Sequence, residues 1–93
     1  MTAYAFVNLT ITNPDSFEAY REKAGLALKK HGAAPLHVSK EAEVIEGGDA
    51  APTVSVLLTF PDRAAAKAWI EDPEFAEVHA LRRGSGFSNI ILM

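Results

Sequence analysis

The chain has 93 residues, a net charge of -3, a pI near 5.5 and no cysteine. That length allows one domain with a modest core, burying about 60–65% of the unfolded surface. The missing cysteines exclude disulfides, thiol nucleophiles, iron–sulfur clusters and cysteine zinc sites, and an acidic chain lacks the basic surface that displaces phosphate counterions.

Residues 3–12 alternate as a strand. Ala3, Ala5, Val7, Leu9 and Ile11 share one face, and Tyr4, Phe6, Asn8, Thr10 and Thr12 share the other. Asn13-Pro14 opens a helix, with Asn13 as N-cap and Pro14 at the first position, where its missing N–H is harmless. Phe17, Tyr20, Ala24, Ala27, Leu28 and His31 recur at helical spacing and form its apolar stripe. Gly32 follows, suited to the left-handed position that ends a helix.

Residues 36–46 predict a second strand, with Leu36, Val38, Ala42 and Val44 on one parity. Its charges mark it as an edge. Gly47-Gly48-Asp49 turns the chain, and residues 53–60 predict a cleaner strand with Val54, Val56, Leu58 and Phe60 facing one way. Pro61-Asp62 caps an alanine-rich helix over 63–70, and Asp72-Pro73 opens a further helical piece to about Arg83. Gly84-Ser85-Gly86 predicts a loop, and residues 87–93 the last strand.

This order predicts a single α+β domain over 1–93. It is of the ferredoxin-like βαββαβ kind, a four-stranded antiparallel sheet with both helices on one face. The helices cover only one side of such a sheet. The other would carry Tyr4, Phe6, Leu57 and part of the last strand, a large apolar patch for a monomer. A second copy is the simplest cover, so the sequence predicts a homodimer paired through the open sheet face.

The residues quoted so far resemble one family. The signs are Asn13-Pro14-Asp15-Ser16-Phe17-Glu18-Ala19-Tyr20-Arg21, His31-Gly32, Glu46-Gly47, Phe60-Pro61, Ala68-Trp69, Asp72-Pro73-Glu74-Phe75 and Arg82, in that order over nearly the whole chain. Together they look like domain-of-unknown-function family thirteen-thirty, within the dimeric α/β-barrel superfamily. The resemblance implies a ferredoxin-like fold whose sheets pair across a dimer, and no established reaction. Related families include cofactor-independent monooxygenases, muconolactone isomerases and haem-binding chlorite dismutases. Fold analogy alone therefore selects no function. The sequence departs from the family pattern at Ala33, Val38 and Phe75. At Val38 relatives often carry an arginine, and any anion-binding role of that arginine is lost here.

The chemistry-bearing residues are few. His31, His37 and His79 have neither the spacing nor the glutamate partner of a zinc motif, so no metal site is expected. His31 sits at a helix carbonyl end, as a cap or as a contact at a pocket mouth. Asn8 lies on the open face, where its amide either bonds across a dimer or orients a ligand carbonyl. Trp69 falls on the apolar side of its helix, where a core role outweighs a substrate platform. Arg21 and Arg82 could hold a carboxylate, although a surface pair of Arg21 with Glu18 is the commoner outcome. Tyr20 reads as filler in the helical stripe. The candidate ligand-binding set is Asn8, His31, Trp69 and Arg82, without a complete catalytic constellation.

No cofactor motif occurs: there is no G-x-G-x-x-G, P-loop or G-x-S-x-G. RNA-recognition motifs share the βαββαβ order, but residues 53–60 lack their basic and paired-aromatic signature, so no nucleic-acid partner is expected. No apolar run reaches the ~20 residues of a membrane span, and the N-terminus lacks signal-peptide features, so the expected compartment is the cytoplasm. Two functions remain open. One is a barrel that binds or transforms a small organic molecule without a cofactor, in a monooxygenase- or isomerase-like way. The other is a non-catalytic interaction or regulatory module whose sheet face serves only for dimerisation.

Overall fold

The computed structural model describes residues 1–48 and 50–93. The N-terminal alternation folds as β1 (Ala3–Ile11), with Ala3, Ala5, Val7 and Leu9 buried and Tyr4 and Phe6 turned to the other face. Asn13 then caps α1 (Pro14–Lys30), its Oδ1 accepting from the Ser16 N–H at 3.2 Å. Gly32 ends the helix at φ +67°, and a Cβ there would come within 2.9 Å of Pro61 Cγ. Both the backbone and the close approach require glycine.

The second strand differs from the sequence expectation. β2 runs from Ala34 to Ser39, beginning earlier and ending well before Glu46. Its partner, β3 (Val54–Phe60), explains the early end: Ser39 pairs with Ser55, and β3 starts at Val54. Residues beyond Ser39 therefore have no ladder to join, and the charges there favour water. The expected parity also fails. A bulge between Pro35 and His37 sets Pro35 against Leu58 and Val38 against Val56, so Leu36 no longer shares a face with Val38. In the expected Gly47-Gly48-Asp49 turn, Asp49 lies outside the described residues, while Gly47 and Gly48 form bends.

β3 matches its pattern, burying Val54, Leu58 and Phe60. Asp62 caps α2 (Arg63–Glu71) by accepting from the Ala65 N–H at 2.7 Å. Asp72 repeats the device at a 3₁₀ turn (Pro73–Phe75), accepting from the Glu74 N–H at 2.9 Å. α3 (Ala76–Gly84) includes Gly84, which the sequence assigned to a loop, and β4 (Gly86–Leu92) closes the chain. At Gly86, φ is +149° and a Cβ would sit 1.9 Å from the Thr10 carbonyl oxygen. Any side chain there breaks the start of the β1–β4 ladder.

The sheet order is β2-β3-β1-β4, antiparallel throughout, with the helices over the Ala5/Val7/Leu9 face. This is the ferredoxin-like arrangement. The helical layer does not cover the sheet evenly. α1 leans on α3, with Ser16 Oγ donating to the Leu81 carbonyl at 2.8 Å, and the β2 edge remains exposed. Among the described residues, no helix is long and apolar enough to cross a membrane.

Candidate functional site

The inward face of α3 is polar where a helix normally presents hydrocarbon: His79, Arg82 and the following Ser85 are all buried. Arg82 is 1% exposed and Trp69 of α2 is 3% exposed. The guanidinium lies over the indole, 5.6 Å from the ring centroid, and its Nε donates to Ser88 Oγ at 3.1 Å. His79 packs edge-on against the same indole, with centroids 4.9 Å apart. The His79 tautomer follows from its neighbours. Nε2 faces the Trp69 carbonyl at 2.8 Å, an acceptor only, and Nδ1 faces Arg82 Nη1 at 2.5 Å, a donor only. His79 is therefore neutral, with its proton on Nε2. Burial pushes its pKa below the ordinary value. The Trp69 carbonyl opposes that shift, and the nearby Arg82 charge adds to it.

Arg82 also acts on α1. Its positive charge holds the pKa of the Tyr20 phenol down, although burial outweighs this and raises it overall. Tyr20 is therefore a neutral phenol. Burial pushes Arg82 down from its ordinary value, and Tyr20 partly offsets this. No carboxylate among the described residues forms an ion pair with Arg82.

Tyr20 also lines a cavity of about 380 Å³ between α1 and the sheet. Its floor is Val7, Leu9, Val54, Val56 and Leu58, its outer side Pro35 and Val38, and its roof Phe17, Tyr20, Ala24, Gly25 and Leu28. Arg21 and Lys40 stand at the rim. The small residues Ala24 and Gly25 fall over the uncovered part of the sheet and leave this space. The volume lies within the ~300–1,000 Å³ of small-molecule sites.

The four sequence candidates do not gather around this cavity, and none of them lines it. Trp69 and Arg82 meet in the cluster beneath α2 and α3. Asn8 sits on the opposite face of the sheet, accepting from Ser55 Oγ at 2.6 Å. There it belongs to a polar row across all four strands, Ser39 opposite Ser55 opposite Asn8 opposite Asn89. His31 caps α1 and places Nε2 2.8 Å from Asp72 Oδ2. That carboxylate also binds Lys30 at 2.7 Å, and Lys30 reaches Glu74 at 2.7 Å. His31 thus joins a clamp between the end of α1 and the 3₁₀ turn. Arg21 pairs with Glu18 at 2.9 Å, the commoner outcome foreseen for it. Sequence reasoning named His79 only among the histidines weighed for metal binding, and passed over Ser88. The available signal was the continuation of the α3 stripe through Phe75, His79 and Arg82 at helical spacing.

The chain belongs to the family described as domain of unknown function DUF1330, whose model matches residues 2–93. No functionally curated protein matches it in sequence. Among solved structures it is similar to the RPA0582 protein of unknown function from Rhodopseudomonas palustris, with a TM-score of 0.74 and 18% identity over 99% of this chain and 80% of that one. A dimeric ferredoxin-like protein of unknown function from Jannaschia sp. CCS1 superposes with a TM-score of 0.70 and 18% identity over 100% and 98% of the two chains. SnoaB, a cofactor-independent oxygenase from Streptomyces nogalater, superposes with a TM-score of 0.70 and 13% identity over 99% and 90%. At these identities the likeness establishes a shared fold.

Proposed function

We propose that this protein is a homodimeric barrel that takes a small apolar organic molecule into the space under α1 and binds or transforms it without a cofactor. The observation that carries the reading is the cavity itself. Its walls are almost wholly apolar, with Tyr20 in the lining and Arg21 and Lys40 at the rim. A site of this kind holds a hydrophobic body, with a small number of polar groups to orient it. The oxygenase or isomerase form of the reading rests on likeness to SnoaB, whose description as a cofactor-independent oxygenase belongs to that protein.

The dimer is part of the same proposal. Phe87 is 77% exposed on the open sheet face, and Tyr4, Phe6, Ile91 and Met93 are exposed there as well. Such a surface favours a self-complementary two-fold contact. The Jannaschia neighbour, described as dimeric, supports this. In that contact the Ser39-Ser55-Asn8-Asn89 row would set the register of the two sheets.

A native mass spectrum of the protein as purified from cells tests both parts. A dimer carrying an added small mass, lost in an Ala24→Trp variant that fills the cavity, is the expected result. A monomer at micromolar concentration overturns the dimer. A chain that neither carries a mass nor takes up naphthalene-sized probes overturns the binding reading.

A further inference from the structure

We infer that the ligand held under α1 is an amphipathic anion that enters body first. Its hydrocarbon fills the cavity, and its carboxylate stays at the mouth between Arg21 and Lys40. This names the ligand class of the cavity read above and rests on that reading.

The exposure of the lining gives the direction of entry. The floor residues Val7, Leu9, Val54 and Leu58 are at most 6% exposed. Val38 on the outer side is 52% exposed, and a Cβ on Gly25 in the roof would meet nothing beyond its own helix within 4 Å. The cavity is therefore closed against the sheet and open between the outward side of α1 and the end of β2. Those two elements supply the two cations. Arg21 lies three and four residues before Ala24 and Gly25, so it shares their face of α1. Lys40 directly follows Ser39, the last residue of β2.

The charges at this mouth have one sign. Among the described residues lining the cavity, Arg21 and Lys40 are the charged ones, and no carboxylate joins them. The whole chain has twelve acidic residues against nine basic, so a mouth carrying cations alone runs against its balance. Two other surface hollows mix the signs, Lys23 with Glu77 in one and Asp62 with Arg63 in the other. Arg21 is held by Glu18 at 2.9 Å and by the Phe17 ring, whose centroid is 5.9 Å from the guanidinium carbon. One such bond leaves most of the five guanidinium donors for a ligand. Lys40 forms no ion pair among the described residues. The Arg21 side chain is 54% exposed and Lys40 is exposed as well, so their pull is modest and screened by salt. The apolar interior supplies most of the affinity, and the mouth selects the sign of the headgroup.

The test uses three probes with one naphthalene body and different side arms: naphthylacetate, naphthylacetamide and naphthylmethylammonium. Calorimetric titration of the intact protein at neutral pH and low salt should rank them in that order. The acid should bind about fivefold more tightly than the amide, the scale of one or two exposed ion pairs. Salt at about 0.5 M should cut this advantage to less than about twofold. Arg21→Gln/Lys40→Gln should abolish the ranking, and Lys40→Glu should reduce the acid's advantage further than Lys40→Gln does. The control Lys23→Gln/Lys29→Gln removes two exposed cations of α1 that do not line the cavity, and should keep the ranking. Equal affinity of wild type for all three probes leaves the cavity reading standing and overturns the anion. Binding of none overturns both. An acid preference that survives the rim variant, resists salt, or is lost equally in the control places its origin away from the mouth and overturns the inference.

Discussion

The two ends of the helical layer treat the same sheet in opposite ways. Under α2 and α3 the space is more nearly filled: Trp69 packs on Phe60 with ring centroids 5.5 Å apart, His79 and Arg82 pack against the indole, and a smaller cavity of about 180 Å³ remains beside Ile70 and Ile90. Under α1 the middle of the helical stripe carries Ala24 and Gly25, and a cavity remains above Val54, Val56 and Leu58. Hydrophobicity does not explain the difference, because the more closely packed region is the one that buries His79 and Arg82. Side-chain volume does. The large residues fill most of one half, and the small ones leave a larger space in the other.

The largest expected effect comes from emptying the filled half. Trp69→Ala should cost about 3–5 kcal/mol, because the indole is fully enclosed and supports both His79 and Arg82. Leu28→Ala on the cavity wall should cost only about 1–2 kcal/mol, since Leu28 is only partly buried and already borders empty space. Urea denaturation of the two variants checks the ordering. Similar losses would mean that the space under α1 is closed in solution.

A sharper comparison uses two alanines of one helix. Ala27 is 1% exposed and belongs to the core, whereas Ala24 faces the cavity. Ala27→Leu should destabilise by about 1–3 kcal/mol through overpacking, while Ala24→Leu should stay within about 1 kcal/mol of wild type. Thermal melts of the pair read the difference. The same Ala24→Leu protein should lose most of its affinity for naphthalene-sized probes. Retained affinity would place the ligand elsewhere.

Most of the fold was legible because its signals are local. Asn13, Asp62 and Asp72 each precede a helical segment with an oxygen that accepts from a nearby N–H, and β1 and β3 alternate cleanly. β2 was misread because its limits depend on where its partner begins and on a bulge, neither of which is written in its own residues. The site was less legible for a related reason. Trp69, Arg82 and Ser88 come from α2, α3 and β4 and meet only once the helices are packed on the sheet, so their cluster could not be recognised from any one segment. Asn8 was placed on the correct face. Its partners, Ser55 and the Asn89 opposite, follow from a strand register that alternation alone does not fix.

The smallest effect at neutral pH should come from the clamp that joins the two halves. Asp72 holds Lys30 and His31 at the end of α1, and these contacts lower its pKa from 3.8 to about 2, the Lys30 bond contributing most. A carboxylate with a depressed folded-state pKa contributes stability that is fully present above its unfolded value. That contribution fades as pH falls from there through the folded value. Wild type should therefore lose stability between pH 3.8 and about 2 in a way that Asp72→Asn does not, because the variant has no carboxylate to protonate. Urea midpoints measured across that window give the test, and parallel curves would remove the clamp from the argument. Amide hydrogen exchange adds the location. If the clamp fastens the cavity half to the filled half, Asp72→Asn should speed exchange in the last turn of α1 and leave α3 unchanged. Equal acceleration in both helices would mean that the two halves open as one unit.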